Sequence, residues 1–154
     1  MVGYTAKIEK DRLLVELERT SGIMTYDYLL VIRNTPLTDL FDDDRQFLQF
    51  QHMNGRLTLI SKASIVEAMD IVNVTALEQG NGPYNSMGVS RDDSFELIRG
   101  FYRELVMRCN PDMYNGEHYP EELRTRLKTV MQHIRVHYTK IRRDKDPSYE
   151  AAPK

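Results

Sequence analysis

The sequence predicts an α+β protein in which a small N-terminal antiparallel β meander or barrel is followed by an antiparallel helical hairpin. Three observations carry that expectation. Residues 1–72 break into short runs rich in Leu, Val, Ile, Tyr and Phe separated by turn residues, the pattern of a strand-rich segment. Gly80, Asn81, Gly82 and Pro83 then stand in succession and mark a change of character. Beyond them, two long stretches repeat apolar residues every three or four positions, which gathers those residues on one face of a helix. The organisation that follows is a β domain over residues 1–79, a helical domain over 80–143 and a flexible tail over 144–154.

In the first part, strands are expected at Arg12–Arg19, Tyr26–Arg33, Arg45–Met53 and Arg56–Ser61, several with apolar and polar positions alternating. Turns are supplied by Thr20-Ser21-Gly22, by Asp42-Asp43-Asp44 and by Asn54-Gly55, a hairpin signal that sets Met53 opposite Arg56. Ser61–Val72 reads either as a short helix or as a last strand, and a strand at Ile65–Ala68 is preferred. Strands this short need closure or a packed second layer to cover their apolar face. The order TPLTDLFDDDRQFLQF then NGRLTLISKASIVEAMD is similar to a small β domain of bacterial proteins, a resemblance that implies no chemistry.

In the second part, Asn73–Pro83 reads as a connector, followed by a short helix at Tyr84–Met87 stopped by Gly88. A long helix runs from Phe95 to about Cys109. Asp93 and Glu96 have the spacing of a capping box at its start, and Pro111 forces the chain out of helical geometry at its end. Leu97, Ile98, Phe101, Tyr102, Leu105 and Cys109 form the face that wants a partner helix. Arg99 and Arg103 lie one turn apart on another face. After a loop ending at Tyr119, Pro120 suits the first position of a second long helix, with Glu121 and Glu122 at its positive end. Its apolar stripe is Leu123, Leu127, Val130, Ile134, Tyr138 and Ile141, and the two stripes should pack together.

Composition bounds the function classes. Of the 154 residues, 41% are hydrophobic and 29% charged, enough for a core without disulfide or metal staples. The single cysteine, Cys109, falls on the apolar helix face and has no evident base partner, which argues against a thiol enzyme. MVGYTAKIEKDRLLVEL lacks the apolar core of a signal peptide and no run has the length of a membrane span, so a cytoplasmic location is expected. Residues 1–80 carry 8 Lys+Arg against 12 Asp+Glu, and residues 81–154 carry 13 against 11. An acidic first part disfavours a nucleic-acid platform there. The basic residues of the last helix, among them Arg124, Arg126, Lys128 and Arg135, are spread around it instead of forming one face. His133 and His137 are four apart on that helix, but no further ligand completes a metal site. Asp42–Asp44 lacks the alternating ligands of a calcium loop. No phosphate loop or nucleophile elbow is present, so no enzyme, metal or cofactor is expected.

From Pro83 to Arg143 the chain resembles a J-domain, the module of DnaJ-type co-chaperones. Tyr84, Met87, Gly88 and Val89 stand where that family has Tyr-x-x-Leu-Gly-Val. Ile98, Tyr102, Arg103, Leu105 and Met107 fall on its second-helix pattern, and Leu127, Val130 and Ile134 suit its third helix. The resemblance implies a docking centre at the His-Pro-Asp position, assisted by basic residues of the preceding helix, which engages a DnaK-type chaperone and stimulates its ATP hydrolysis. Here that tripeptide is Asn110-Pro111-Asp112. An asparagine amide donates and accepts hydrogen bonds but has no imidazole ring and no titratable cation near neutral pH. The helix also interleaves Gly100 and Glu104 with its arginines, which dilutes the positive field. Gly100 costs on the order of 1 kcal/mol relative to Ala and suggests a close approach or relaxed demand there.

These readings lead to a non-catalytic interaction or adaptor protein built on a degenerate J-domain. Its partner-binding residues are Arg99, Arg103, Arg108, Asn110, Pro111 and Asp112. The partner is a protein, with a DnaK-type chaperone as the implied class, and the β domain offers a second surface or an oligomer edge. The alternative is a working co-chaperone that stimulates the ATPase and delivers clients; nucleic-acid binding ranks below both.

Overall fold

A sheet whose two end strands are joined by only three residues cannot be flat, and this constraint shapes the first unit. The computed structural model describes residues 10–33 and 35–148. Contacts divide the chain into two units, one ending at Asp70 and the other beginning at Ile71. The sheet contains β1 (Lys10–Arg19), β2 (Met24–Ile32), β3 (Phe47–Gln51), β4 (Leu57–Ser61) and β5 (Ile65–Asn73). Their order is β4-β3-β2-β1-β5. In a flat sheet the end strands would be about 19 Å apart, four spacings of roughly 4.8 Å. The Cα atoms of Ser61 and Ile65 are separated by at most about 14 Å of extended chain. The sheet therefore curls until β4 hands over to β5 through a 3-10 turn at Lys62–Ser64.

That corner is held by named bonds. Thr20 N–H donates to the Ser64 carbonyl at 2.9 Å. Arg19 Nη2 donates to Ser64 Oγ at 2.9 Å, and Ser64 Oγ donates to the Ser61 carbonyl at 2.8 Å. β4 and β5 nonetheless do not pair with each other, so the sheet is open. The expectation of a barrel is corrected, while the antiparallel meander from β1 to β4 stands.

The alternation read in the sequence explains the core. In the register Leu13↔Leu29 and Leu17↔Thr25, every second residue shares a face. Val15, Leu17, Leu29, Val31, Leu48, Phe50 and Ile60 gather there. Leu40 of helix α1 (Leu37–Asp42) joins them at 2% exposure. Burying each such side chain contributes on the order of 2 kcal/mol.

Helix α1 has no counterpart in the sequence reading, because Pro36 provides no side-chain cap and six residues are too few for periodicity to show. The Asn54-Gly55 signal produces a hairpin, but its register is corrected. His52 N–H donates to the Arg56 carbonyl at 2.9 Å and Gly55 N–H to the His52 carbonyl at 2.8 Å. The loop is Met53-Asn54-Gly55, with Gly55 at φ 92°. A three-residue loop closed by a glycine of positive φ replaces the two-residue turn, so His52 and not Met53 faces Arg56.

The second unit holds α2 (Val74–Gln79), α3 (Pro83–Met87), α4 (Phe95–Cys109), a 3-10 turn at Pro111–Tyr114 and α5 (Glu121–Lys145). Asn73 caps α2 by accepting the Ala76 N–H at 3.0 Å, so most of the expected connector is helical. β5 likewise extends past Ala68 to Asn73. Gly88 closes α3 in the left-handed conformation at φ 73°, as its position suggested.

α4 and α5 run antiparallel. Tyr102 of α4 stacks on Tyr138 of α5 with ring centroids 3.8 Å apart, and Phe95 lies 6.2 Å from the same ring. Ile98, Leu105 and Cys109 meet the predicted burial on α4, and Leu123, Leu127, Val130, Ile134 and Ile141 on α5. Leu97 does not: it is 59% exposed. The cap of α4 is Ser94, whose Oγ accepts the Leu97 N–H at 3.2 Å, while Asp93 Oδ2 accepts the Ser90 N–H at 2.8 Å. The hydroxyl at Ser94 displaces Asp93 from the expected capping box, and Pro120 is likewise the cap of α5 rather than its first residue.

The expected tail begins inside α5. Asp144 and Lys145 are helical, and Lys145 Nζ donates to the carbonyls of Arg91 and Asp93 at 2.6 and 3.1 Å. The rest of the tail from Tyr149 lies outside the described residues, as do the first nine residues of the N-terminal segment. Among the described residues no helix is long and apolar enough to cross a membrane.

Candidate functional site

The turn after α4 is built from short-range chemistry. Pro111 prevents the helix from continuing, and Asn110 takes the cap of the next turn. Asn110 Oδ1 accepts the Asp112 N–H at 3.1 Å, and the Asn110 carbonyl accepts the Met113 N–H at 3.1 Å. The Asn110 acceptor is thereby used inside the turn, and its amide nitrogen keeps the donors. The Asp112 carboxylate is exposed.

Tyr114 pins this turn to both long helices. Its hydroxyl donates to the Arg108 carbonyl at 2.9 Å, and its own carbonyl accepts from Arg124 Nη1 at 3.4 Å. Tyr119 meets its ring edge-on with centroids 5.3 Å apart. Tyr114 is not among the residues the sequence singles out; its place three residues after Pro111, within reach of the last carbonyls of α4, is the signal that marks it.

The sequence-predicted arginines do not form one cluster. Arg99 and Arg103 are exposed, one turn apart on the same side of α4, and neither has an ion-pair partner among the described residues. Five residues on from Arg103, Arg108 lies about 140° further round the helix and is half-buried. Arg108 therefore belongs with the Asn110–Asp112 turn, and Arg99 and Arg103 with the exposed face. That face also carries Gly100 and Met107, the latter 73% exposed, whereas Glu104 and Leu97 lie on the side of Arg108. A methyl group added at Gly100 would meet nothing within 4 Å among the described residues, so no close approach among them explains this glycine.

At the opposite end of the module, Tyr84 donates its hydroxyl hydrogen to Asp144. The Arg91 guanidinium lies 4.8 Å over the Tyr84 ring and 3.7 Å from the Asp144 carboxylate. Burial, then the Asp144 carboxylate, raises the Tyr84 pKa above its ordinary 10.0. This group ties α3 to the last turn of α5.

Other candidates resolve into structural roles. Cys109 is fully buried and its thiol is pushed up to about 12 by burial, so it stays protonated near neutral pH. His137 directs Nε2 at the Leu77 carbonyl, 2.8 Å away, and no group of three metal-ligating side chains occurs among the described residues. Arg126 pairs with Glu78, and Arg124 holds the Tyr114 carbonyl, so part of the basic set on α5 is internally used. In the first unit an open cleft of about 370 Å³ lies between α1 and β5, its polar side chains being Thr38, Asp42, Glu67. Asp43 is held to about 2 by its bond to Lys62 Nζ, with Arg45 adding to the effect. The acidic run is thus partly a structural tie.

No family model, curated protein or solved structure matches the chain.

Proposed function

We propose that the second unit is a degenerate J-domain that serves as a non-catalytic interaction module, binding a protein partner without activating a DnaK-type ATPase. The observation that carries this reading is the use of Asn110 as the cap of its own turn, with Oδ1 on the Asp112 N–H. That bond preserves a turn of defined shape with Pro111 and Asp112 in place, while the imidazole that the resemblance requires is absent. The order of short helix, long helix, turn and antiparallel long helix supports the same reading. Arg99 and Arg103 supply the charged face for an acidic partner, and Arg108 and Asp112 supply polar groups at the turn.

One observation favours the second reading, a working co-chaperone: Arg99 and Arg103 are exposed and free of ion pairs among the described residues. The two readings separate in an assay of a cognate DnaK-type chaperone with the unmodified protein and with Arg99→Glu/Arg103→Glu. The adaptor reading expects the ATPase rate to stay at its basal value with both proteins. A rate raised by the unmodified protein and returned to basal by the double substitution establishes the co-chaperone instead.

A further inference from the structure

The two edges of the β sheet differ in how they are protected. β5 carries Glu67 and Asp70 along its length, the charged residues that keep an edge from pairing. β4 reads Leu-Thr-Leu-Ile-Ser and has no charge between Arg56 and Lys62.

The hydrogen-bond parity of β4 fixes what its free edge presents. His52 N–H donates to the Arg56 carbonyl and Lys62 N–H to the Gln46 carbonyl, each at 2.9 Å. Bonded and non-bonded pairs alternate along an antiparallel ladder. With Gln51↔Leu57, Gln49↔Leu59 and Phe47↔Ser61 in register, these three pairs are the non-bonded ones. The N–H and C=O of Leu57 and Leu59 therefore point away from β3, toward the open side. Their side chains share the outward face with Phe47, and the three are 56%, 66% and 53% exposed. Backbone donors and acceptors thus stand in the same strand as an apolar strip.

We propose that β4 is the pairing edge of a symmetric dimer, in which two copies of this chain align their β4 strands antiparallel about a two-fold axis at Thr58. In that register Leu57 of each copy faces Leu59 of the other, both as hydrogen-bonded pairs, giving four backbone hydrogen bonds. Thr58 meets its own twin on the opposite face, a favourable cross-strand pair. Moving the axis to Leu59 matches only one leucine pair and sets each Leu57 against Ser61 of the other copy. Lys62 Nζ is 2.7 Å from Asp43 Oδ1, so its charge is largely answered within the chain and gives little pull toward the acidic β5 edge of another copy. A two-fold contact is isologous and closes on itself. A strand of five residues makes a small interface, so the association is reversible and concentration-dependent.

Sedimentation velocity of the full chain across the micromolar range tests this, with Leu57→Lys/Leu59→Lys, Leu59→Pro and Val66→Lys. Leu59→Pro removes an outward-pointing donor, which an edge strand tolerates; Val66→Lys alters the β5 edge. Expected are a monomer–dimer equilibrium for the unmodified protein and for Val66→Lys, and monomers for both β4 variants. Amide exchange in the unmodified protein gives a reading that does not depend on variants folding. The Leu57 and Leu59 amides should gain about tenfold protection as dimer forms, the Val66 amide none. A monomer at every concentration, an assembly larger than a dimer, loss of association in Val66→Lys, or protection of Leu57 and Leu59 that does not change with concentration overturns the proposal.

Discussion

The Tyr84 hydroxyl donates to the Asp144 carboxylate across 60 residues of chain, tying the shortest helix of the second unit to the end of its longest. Tyr84→Phe removes the donor and keeps the ring. Because the Asp144 side chain is 49% exposed, water replaces the lost partner, and the cost in unfolding free energy should be about 1 kcal/mol. The pH dependence has a defined sign. A tyrosine whose pKa is higher folded than unfolded contributes stability that is complete below its ordinary 10.0 and is lost as pH rises through the folded value. Thermal unfolding of the unmodified protein should therefore weaken above pH 10 more than that of Tyr84→Phe.

Adjacent residues on α4 should respond in opposite ways. Ile98 is fully buried and Leu97 is 59% exposed. Ile98→Ala is expected to cost about 2–5 kcal/mol, whereas Leu97→Ala should stay within about 0.5 kcal/mol. Denaturant titration of the two variants checks the rotation of α4 about its axis.

Gly100→Ala tests why a glycine occupies the middle of α4. A Cβ there meets nothing among the described residues, so the substitution should stabilise the protein by about 1 kcal/mol through helix propensity. A destabilised variant in denaturant titration would contradict that reading of α4.

The Asp43–Lys62 tie makes an electrostatic prediction in the first unit. The depressed carboxyl contributes stability above its ordinary 3.8 that is lost as pH falls toward about 2. In a carboxyl NMR titration Asp43 should show a midpoint near 2, and Lys62→Met should move it back toward 3.8.

The parts of the fold that were legible in the sequence are those where one local signal dominates. Alternation located β1 to β4, and helical periodicity located α4 and α5, because burial of one face sets both patterns. Gly88 was legible because a left-handed stop favours glycine. What was not legible depended on competition or on distant pairing. Ser94 and Asp93 both qualify as caps, and only the folded backbone decides between them. Leu97 belongs to the helical pattern by spacing, yet the packed face of α4 is narrower than its apolar residues suggest. Helix α1 is too short to show a period, and its Leu40 is recognised only by the sheet that buries it. The curl that brings Ser64 to Arg19 is a long-range pairing with no local signature. At the candidate site, the Asn110-Pro111-Asp112 turn was visible as a motif, and the five-residue spacing of Arg103 and Arg108 already separates them on a helix, but the fastening of the turn by Tyr114 required the three-dimensional placement.

In the proposed function, Asn110 keeps the shape of a docking turn without the chemistry that activates a partner ATPase. Single-turnover ATP hydrolysis by a cognate DnaK-type chaperone, measured with the unmodified protein and with Asn110→His, decides whether it does. A basal rate with the unmodified protein and a raised rate with Asn110→His are expected. Strong stimulation by the unmodified protein, unchanged by the substitution, would contradict it.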